Sequence, residues 1–288
     1  MRNRLGIYYA FLADSDRVDW HDCLARASAA GCRAVELSAP RLAAESPAAR
    51  VAIARHAADL DLRVSLATAL PPDGDISSPV SAARQRGIDS LLKNVEIAAA
   101  MGAARICGML YAPPKTFPPE VASHRDELLG RSAECLREVA ESAQAGSVRL
   151  CVEAVNRFES PLVNTAEEAV AFVRRIGSPA VGVLLDAFHM NIEEDDLGAA
   201  IRAAGPWLAH VHISENNRKP PGKGHLPWEA IFAALRAAEY RGDIVIEALP
   251  FPYGSVSGRL NIWRRLIDRD PDEELRTAVG YLEGLLAE

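Results

Sequence analysis

The chain has 288 residues, of which 49% are hydrophobic and 25% are charged, a composition typical of a soluble globular protein. Its formal net charge of −7 argues against a nucleic-acid-binding protein, which normally presents a basic face. No apolar stretch is long enough to cross a membrane and the N-terminus lacks a signal-peptide core, so we expect a cytoplasmic protein that acts on a small molecule.

Eight short apolar stretches alternate with longer amphipathic segments, and each stretch is a candidate buried strand. The stretches cover residues 5–11, 33–38, 62–68, 104–110, 148–154, 180–186, 208–214 and 243–249. Helices are predicted over residues 19–30, 85–101, 120–145, 165–176 and 272–286. A glycine follows each of the first four helices, as is usual at helix ends, and Thr165 with Glu168 forms a capping box.

The strict alternation of strand and helix predicts parallel strands joined by right-handed crossovers. Eight such units favour a closed (β/α)₈ TIM barrel over an open doubly wound sheet, which usually carries a glycine-rich phosphate turn after its first strand. The segment after the first apolar stretch has no such turn. We therefore predict one barrel domain over residues 1–288, with long loops at 112–119 and 215–224 on the face where barrel active sites are built.

Polar residues stand at the ends of the last four predicted strands. They are Glu153, Asp186, His212 and Glu247. A lone buried carboxylate is unfavourable, but four such residues at the same end of consecutive strands would converge, and a cation between them would offset the penalty. His210 points to the same side of its strand as His212, which we prefer because it lies nearer the C-terminal end.

Each residue alone has a simpler interpretation, as a helix cap, a salt-bridge partner or a core histidine; the joint pattern favours a site. Three carboxylates and one imidazole suit one divalent ion, Mn²⁺ in preference to Co²⁺ or Mg²⁺, rather than a structural Zn²⁺. Three negative charges and a 2+ ion leave a formal charge of −1, which suits a neutral sugar better than a phosphate.

Three residues on the following loops are candidates for gripping substrate hydroxyls and orienting the ligands. They are Glu159, His189 and Arg218. The alternatives are a solvated loop charge for Arg218 and a helix-start carboxylate for Glu159.

Four segments carry a family resemblance: VEAVNRFE (152–159), LDAFHMNIEE (185–194), HVHISENNRKPPGKGHLPWEAIF (210–232) and IVIEALPF (244–251). The chain resembles the D-tagatose 3-epimerase, D-psicose (allulose) 3-epimerase and L-ribulose 3-epimerase group of the xylose-isomerase-like barrels. The resemblance is strongest over residues 150–265.

The resemblance implies metal ligation by Glu153, Asp186, His212 and Glu247, with Glu153 and Glu247 as the paired acid and base. It also implies a homodimer or homotetramer, and substrate contacts from Glu159, His189, Arg218, Tyr8, Glu36 and Tyr111. Around the far end of the sugar the chain departs from the family's aromatic and cysteine residues. It carries Leu12, Ala67, Tyr111 and Leu249 there, which leaves the identity of the sugar open.

The predicted function is a metal-dependent ketose 3-epimerase that deprotonates carbon 3 of a free ketose and reprotonates its other face through an enediolate. An aldose–ketose isomerase or sugar lyase on the same barrel is the first alternative. An abasic-site nuclease is disfavoured by the negative charge and by the absence of histidine at the ends of strands three and four. A non-catalytic sugar-binding barrel has no explanation for four convergent ligands.

Overall fold

The computed structural model describes residues 3–13, 17–114, 117, 120–252 and 254–287. Eight parallel strands close into a barrel in chain order, with β8 pairing β1, so the predicted TIM barrel is confirmed. The strands are β1 (Arg4–Tyr8), β2 (Ala34–Ser38), β3 (Arg63–Ala67), β4 (Arg105–Gly108), β5 (Arg149–Ala154), β6 (Val181–Asp186), β7 (Leu208–Ile213) and β8 (Asp243–Ile246).

The helices pack around the strands and include all five that were predicted. They are α1 (Trp20–Ala29), α2 (Ala39–Ala43), α3 (Pro47–Asp59), α4 (Ser81–Met101), α5 (Val121–Ala145), α6 (Ala166–Ile176), α7 (Ala187–Glu193), α8 (Leu197–Ala204), α9 (Trp228–Ala237), α10 (Gly254–Arg259) and α11 (Pro271–Ala287). The capping box of Thr165 and Glu168 is present at the start of α6. Gly102 and Gly177 adopt the left-handed conformation after α4 and α6, whereas Gly146 after α5 does not.

Several strands end before the apolar stretch that predicted them. β4 ends at Gly108 and β8 ends at Ile246. The apolar stretch continues because residues past the strands, such as Met109 and Leu249, are buried under the loops. Glu247 therefore lies one residue beyond β8, although its backbone N–H still donates to the Ile213 carbonyl oxygen at 2.9 Å.

The main apolar core lies between the sheet and the helices. Cys107, Cys151, Leu184 and Ala209 form a second buried cluster. Successive side chains of a strand point to opposite faces of the sheet. The strand neighbours of Cys107 and Cys151 belong to the main core on the outer face, so the second cluster lies inside the barrel. All five cysteines are buried free thiols. None of the described helices combines the length and apolarity needed to cross a membrane.

The two predicted loops connect strands to helices at the C-terminal end of the barrel. The first follows β4, and its residues 115, 116, 118 and 119 lie outside the described residues. The second, between β7 and α9, is held by the buried Glu215 carboxylate, which accepts from the backbone of Gly222 at 2.6 Å and from Trp228 Nε1 at 2.7 Å. This buried anchor gives the loop a defined path past the barrel mouth.

Candidate functional site

A cavity of about 390 Å³ opens at the C-terminal ends of the strands. Seven of the ten predicted site residues line it: Tyr8, Glu153, Glu159, His189, His212, Arg218 and Glu247. Asp186 is fully buried at the end of β6 and contacts Arg218 and His189 from below the lining. The loops after β5 and β7 and the ends of the last four strands thus meet at one place.

Glu153, His212 and Glu247 bring their ligand atoms within 4.8 Å of one another. His212 Nδ1 lies 3.9 Å from Glu153 Oε1 and 3.5 Å from Glu247 Oε2. Burial and the neighbouring Glu247 carboxylate raise the pKa of Glu153 well above its usual value. Without a cation, Glu153 therefore ionises less readily than an ordinary glutamate.

Asp186 and Arg218 form a buried ion pair beside this group. Asp186 Oδ1 accepts from the backbone N–H of Phe188 at 3.0 Å, while Oδ2 lies 2.6 Å from Arg218 Nη1. Burial by itself would raise the pKa of Asp186, but the Arg218 guanidinium outweighs it and holds that pKa below its usual value. Asp186 also belongs to a second close group of possible ligands, with Glu153 and His189.

His189 is held as a neutral ring. Its Nδ1 accepts from the backbone N–H of Asn156 at 3.2 Å and lies 2.8 Å from Asn156 Nδ2. Arg218 Nη2 approaches Nε2 at 3.3 Å, so both ring nitrogens face donors. Because Nδ1 faces two donors and Nε2 only one, the proton of the neutral ring is placed on Nε2. Burial lowers the pKa of His189 to about 3. A protonated Nε2 has no lone pair for a metal, so in the second group only the carboxylates of Glu153 and Asp186 could bind one.

Arg218 and Glu159 approach the cavity from the two loops. Arg218 is buried, has a φ of +61° and places its guanidinium carbon 4.0 Å from the centroid of the Phe188 ring. The Glu159 side chain is 35% exposed, and its Oε1 lies 3.9 Å from His189 Nε2. Arg157 pairs with Glu193 at 2.8 Å and ties the Glu159 loop to α7. Both candidate substrate contacts are therefore anchored by neighbouring ion pairs or rings.

Two further predicted residues, Glu36 and Tyr111, are also absent from the described residues that line the cavity. Tyr111 is fully buried and donates to the Val163 carbonyl oxygen at 3.3 Å. Glu36 is fully buried beneath His212, so neither side chain reaches the cavity in this structure, and a substrate contact from either residue stays a prediction. The sequence contains a signal for the burial of Glu36, because this residue lies two positions before the end of β2 and therefore one layer of side chains below the rim.

The donor set suits a divalent cation. Within the described part of the chain, His212 Nδ1 is buried without a hydrogen-bond partner, and it faces the Glu153 and Glu247 carboxylates. Of the three carboxylates that meet here, two, those of Asp186 and Glu247, pair with the guanidinium of Arg218. A cation would use the unpartnered nitrogen and balance the excess of negative charge.

Comparison with known proteins supports the same fold. Residues 24–274 match the family model of the xylose isomerase-like TIM barrel. The chain belongs to the xylose isomerase-like TIM barrel family. It is 32% identical to D-psicose 3-epimerase of Agrobacterium fabrum over 281 residues, 96% of each chain. It is 39% identical to L-ribulose 3-epimerase of Mesorhizobium japonicum over 216 residues, 74% of this chain and 72% of the relative.

A solved member of the xylose isomerase-like barrels has nearly the same backbone. The structure of D-psicose 3-epimerase with D-tagatose from Clostridium cellulolyticum H10 superposes with a TM-score of 0.92 at 32% identity, over 98% of this chain and 99% of that chain. The predicted family resemblance is thereby confirmed, and so is the prediction that the chain is an isomerase.

The far wall of the cavity is formed by residues that carry no sequence motif. Sequence reasoning missed most of its lining: Ser38, Pro40, Thr68, Ala69, Gly108, Met109, Val256, Arg259, Leu260 and Asn261. Of the four residues expected at the far end of the sugar, Ala67 lines the cavity, whereas Leu12, Tyr111 and Leu249 are buried elsewhere. The wall comes from segments far apart along the chain, so no local pattern marks it.

Proposed function

We propose that this protein is a metal-dependent ketose 3-epimerase acting on free ketoses. It removes the proton from carbon 3 and returns a proton to the opposite face, through an enediolate. The named relatives are sugar 3-epimerases, and one is matched over 96% of both chains. The observation that carries the proposal is the pair of carboxylates, Glu153 and Glu247, that flank His212 Nδ1 at the cavity floor.

Glu153, Asp186, His212 and Glu247 would hold one divalent ion, with Mn²⁺ preferred over Co²⁺ and Mg²⁺. The three carboxylates argue against a structural Zn²⁺. Such an ion, when bound, supplies stabilisation of the negative charge that develops on the substrate oxygens. The supporting feature is the buried, unpartnered Nδ1 of His212 among the carboxylates.

Epimerisation requires a proton acceptor on one face of carbon 3 and a proton donor on the other. Glu153 and Glu247 come from different strands and both line the cavity, so they can serve opposite faces. The raised pKa of Glu153 favours a scheme in which one glutamate is protonated while the other is ionised. Their roles exchange with the direction of the reaction.

Three further residues would bind the substrate next to the reacting carbon. The Nε2–H of His189 and the guanidinium of Arg218 are fixed donors for the carbonyl and the adjacent hydroxyl oxygens. Glu159 is a hydroxyl acceptor, and Tyr8 forms part of the cavity wall. Assembly into a homodimer or homotetramer stays a prediction.

The test is a panel of free tetruloses, pentuloses and hexuloses incubated with the Mn²⁺-loaded protein in D₂O, with products identified by chromatography and mass spectrometry. We expect a second ketose that carries one deuterium at carbon 3. An aldose labelled at carbon 1 or 2 would instead identify an aldose–ketose isomerase. Failure to convert any ketose while Mn²⁺ is bound would contradict the proposal.

A further inference from the structure

A buried carboxylate lies beneath the cavity floor. Glu36, in the middle of β2, is fully buried. Its Oε1 lies 2.8 Å from His212 Nε2, and its Oε2 lies 3.1 Å from His210 Nε2. Ser65 Oγ donates to Oε2 at 2.9 Å. One carboxylate thus touches three polar side chains from two other strands.

The short contact determines where His212 carries its proton. A carboxylate oxygen and an unprotonated ring nitrogen would both present lone pairs at 2.8 Å, so the proton sits on Nε2. This contact between Glu36 Oε1 and His212 Nε2 is short but not linear. Neither ring nitrogen of His212 has a hydrogen bond of good geometry to any described residue. A neutral ring protonated at Nε2 presents its only lone pair at Nδ1, which faces Glu153 and Glu247.

The other oxygen of Glu36 prevents the carboxylate from turning away. His210 and Ser65 both approach Oε2, so rotation about the carboxylate axis would break two contacts in order to exchange the oxygens. The rings of His210 and His212 lie edge to face with centroids 5.1 Å apart, which limits rotation of the His212 ring as well. The carboxylate and the ring are therefore held together as one rigid unit.

We infer that Glu36 is a positioning residue that fixes the ring orientation and the Nε2–H tautomer of His212, so that Nδ1 is the nitrogen that binds the metal. This inference rests on the proposed metal-dependent function. A carboxylate behind a metal-binding histidine commonly fixes its tautomer, and loss of such a partner weakens metal affinity 10–100-fold. Glu36 acts only through His212 and does not touch the substrate.

The first test uses the unmodified protein. Long-range ¹H–¹⁵N spectra of the Zn²⁺-loaded, diamagnetic protein report which ring nitrogen of each histidine is protonated, and His212→Asn identifies the His212 signals. We expect a protonated Nε2 and a metal-bound Nδ1. A protonated Nδ1 with metal at Nε2 would overturn the inference.

The second test compares Mn²⁺ affinity by titration calorimetry in two variants. Glu36→Leu removes both acceptor oxygens and is expected to weaken Mn²⁺ binding about 10–100-fold. Ser65→Ala removes one contact to Oε2 but leaves Oε1 against His212, so its affinity is expected to stay within about threefold of the original. Circular dichroism identifies any variant that fails to fold. If a variant does not fold, the ¹H–¹⁵N spectra of the unmodified protein decide whether the inference holds.

Equal affinity in Glu36→Leu and the original protein would overturn the inference, as would an equal loss in Ser65→Ala, which would indicate a general packing effect. Neither readout involves a substrate. A protein that turns over no ketose but shows the expected tautomer and affinities would refute the proposed function alone. An active epimerase with the wrong tautomer would refute the positioning role alone.

Discussion

A single nitrogen of Arg218, Nη1, lies 2.6 Å from Asp186 Oδ2 and 3.0 Å from Glu247 Oε2. One guanidinium therefore bridges two of the carboxylates that we propose as metal ligands. The contact with Asp186 is buried and the contact with Glu247 is partly buried, so an uncompensated charge there would be unfavourable. Arg218 and the proposed divalent ion would thus neutralise the same carboxylates.

Replacing Arg218 with glutamine should destabilise the metal-free protein, because the buried Asp186 carboxylate and the partly buried Glu247 carboxylate lose their cation. Breaking a buried pair in this way costs about 3–5 kcal/mol. We expect a drop in Tm that is larger in EDTA than in saturating Mn²⁺, measured by calorimetry. The exposed Arg264→Gln variant is the matched control and should show no such difference. Equal drops in both conditions would contradict the shared neutralisation.

Replacing either Glu153 or Glu247 with glutamine should abolish ketose epimerisation, because each side chain would lose its ability to accept a proton. General acid–base groups contribute roughly 10²–10⁴-fold, and kcat should fall by at least that much at saturating Mn²⁺. Steady-state kinetics measure the loss. Glu229→Gln, an exposed glutamate on α9, should keep the original rate. A near-normal rate in either site variant would rule out the two-base scheme.

Chelation should silence the enzyme, and addition of Mn²⁺ or Co²⁺ should restore it. Since the ion binds only the folded chain, Mn²⁺ at about 100 times its Kd should stabilise the protein by roughly 2.7 kcal/mol. Asp186→Asn should reduce this stabilisation at the same Mn²⁺ concentration. Thermal unfolding with and without Mn²⁺ measures both effects, and a Tm that does not respond to any divalent ion would exclude the proposed metal site.

His189 should make the metal-free protein less stable as the pH falls. Its pKa is about 3 in the folded protein against 6.5 ordinarily, so between these values the unfolded chain binds a proton that the folded protein does not. The free energy of unfolding therefore decreases as the pH is lowered through this range, by at most about 1.4 kcal/mol per pH unit.

Denaturant unfolding in EDTA at several pH values between about 5 and 7 should show a shallower pH dependence for His189→Asn than for the original protein. The exposed His225→Asn variant should keep the original slope. NMR titration gives a direct check: if the His189 ring took up a proton near pH 6.5, its neutral state would be disproved.

Gly108 ends β4 with a φ of +130°, and a Cβ there would collide with the Thr68 carbonyl oxygen. Gly108→Ala should therefore destabilise the protein by about 1–3 kcal/mol, the usual range for backbone strain, and distort the far wall of the cavity. Gly280→Ala, in α11 with open space around the added methyl group, should be neutral or stabilising. Chemical denaturation compares the two, and equal stability would contradict the strain.

The sequence by itself determined the barrel and the rim at which the proposed metal ligands stand. Buried parallel strands read as apolar stretches, and a parallel barrel brings the C-terminal ends of its strands together, so Glu153, Asp186, His212 and Glu247 could be predicted to converge. The helix signals were equally local, as the capping box of Thr165 and Glu168 illustrates. Such features depend on neighbours within a few residues or on a repeated strand direction.

Only the tertiary structure decided the partners of these residues. Glu36 lies beneath His212, Asn156 determines the tautomer of His189, and Arg218 spans two carboxylates, each through a contact between elements distant along the chain. The far wall of the cavity likewise joins β3, β4 and α10. Hydrogen bonds and ion pairs act over about 3 Å, so they depend on the packed positions of side chains, which no short sequence pattern specifies.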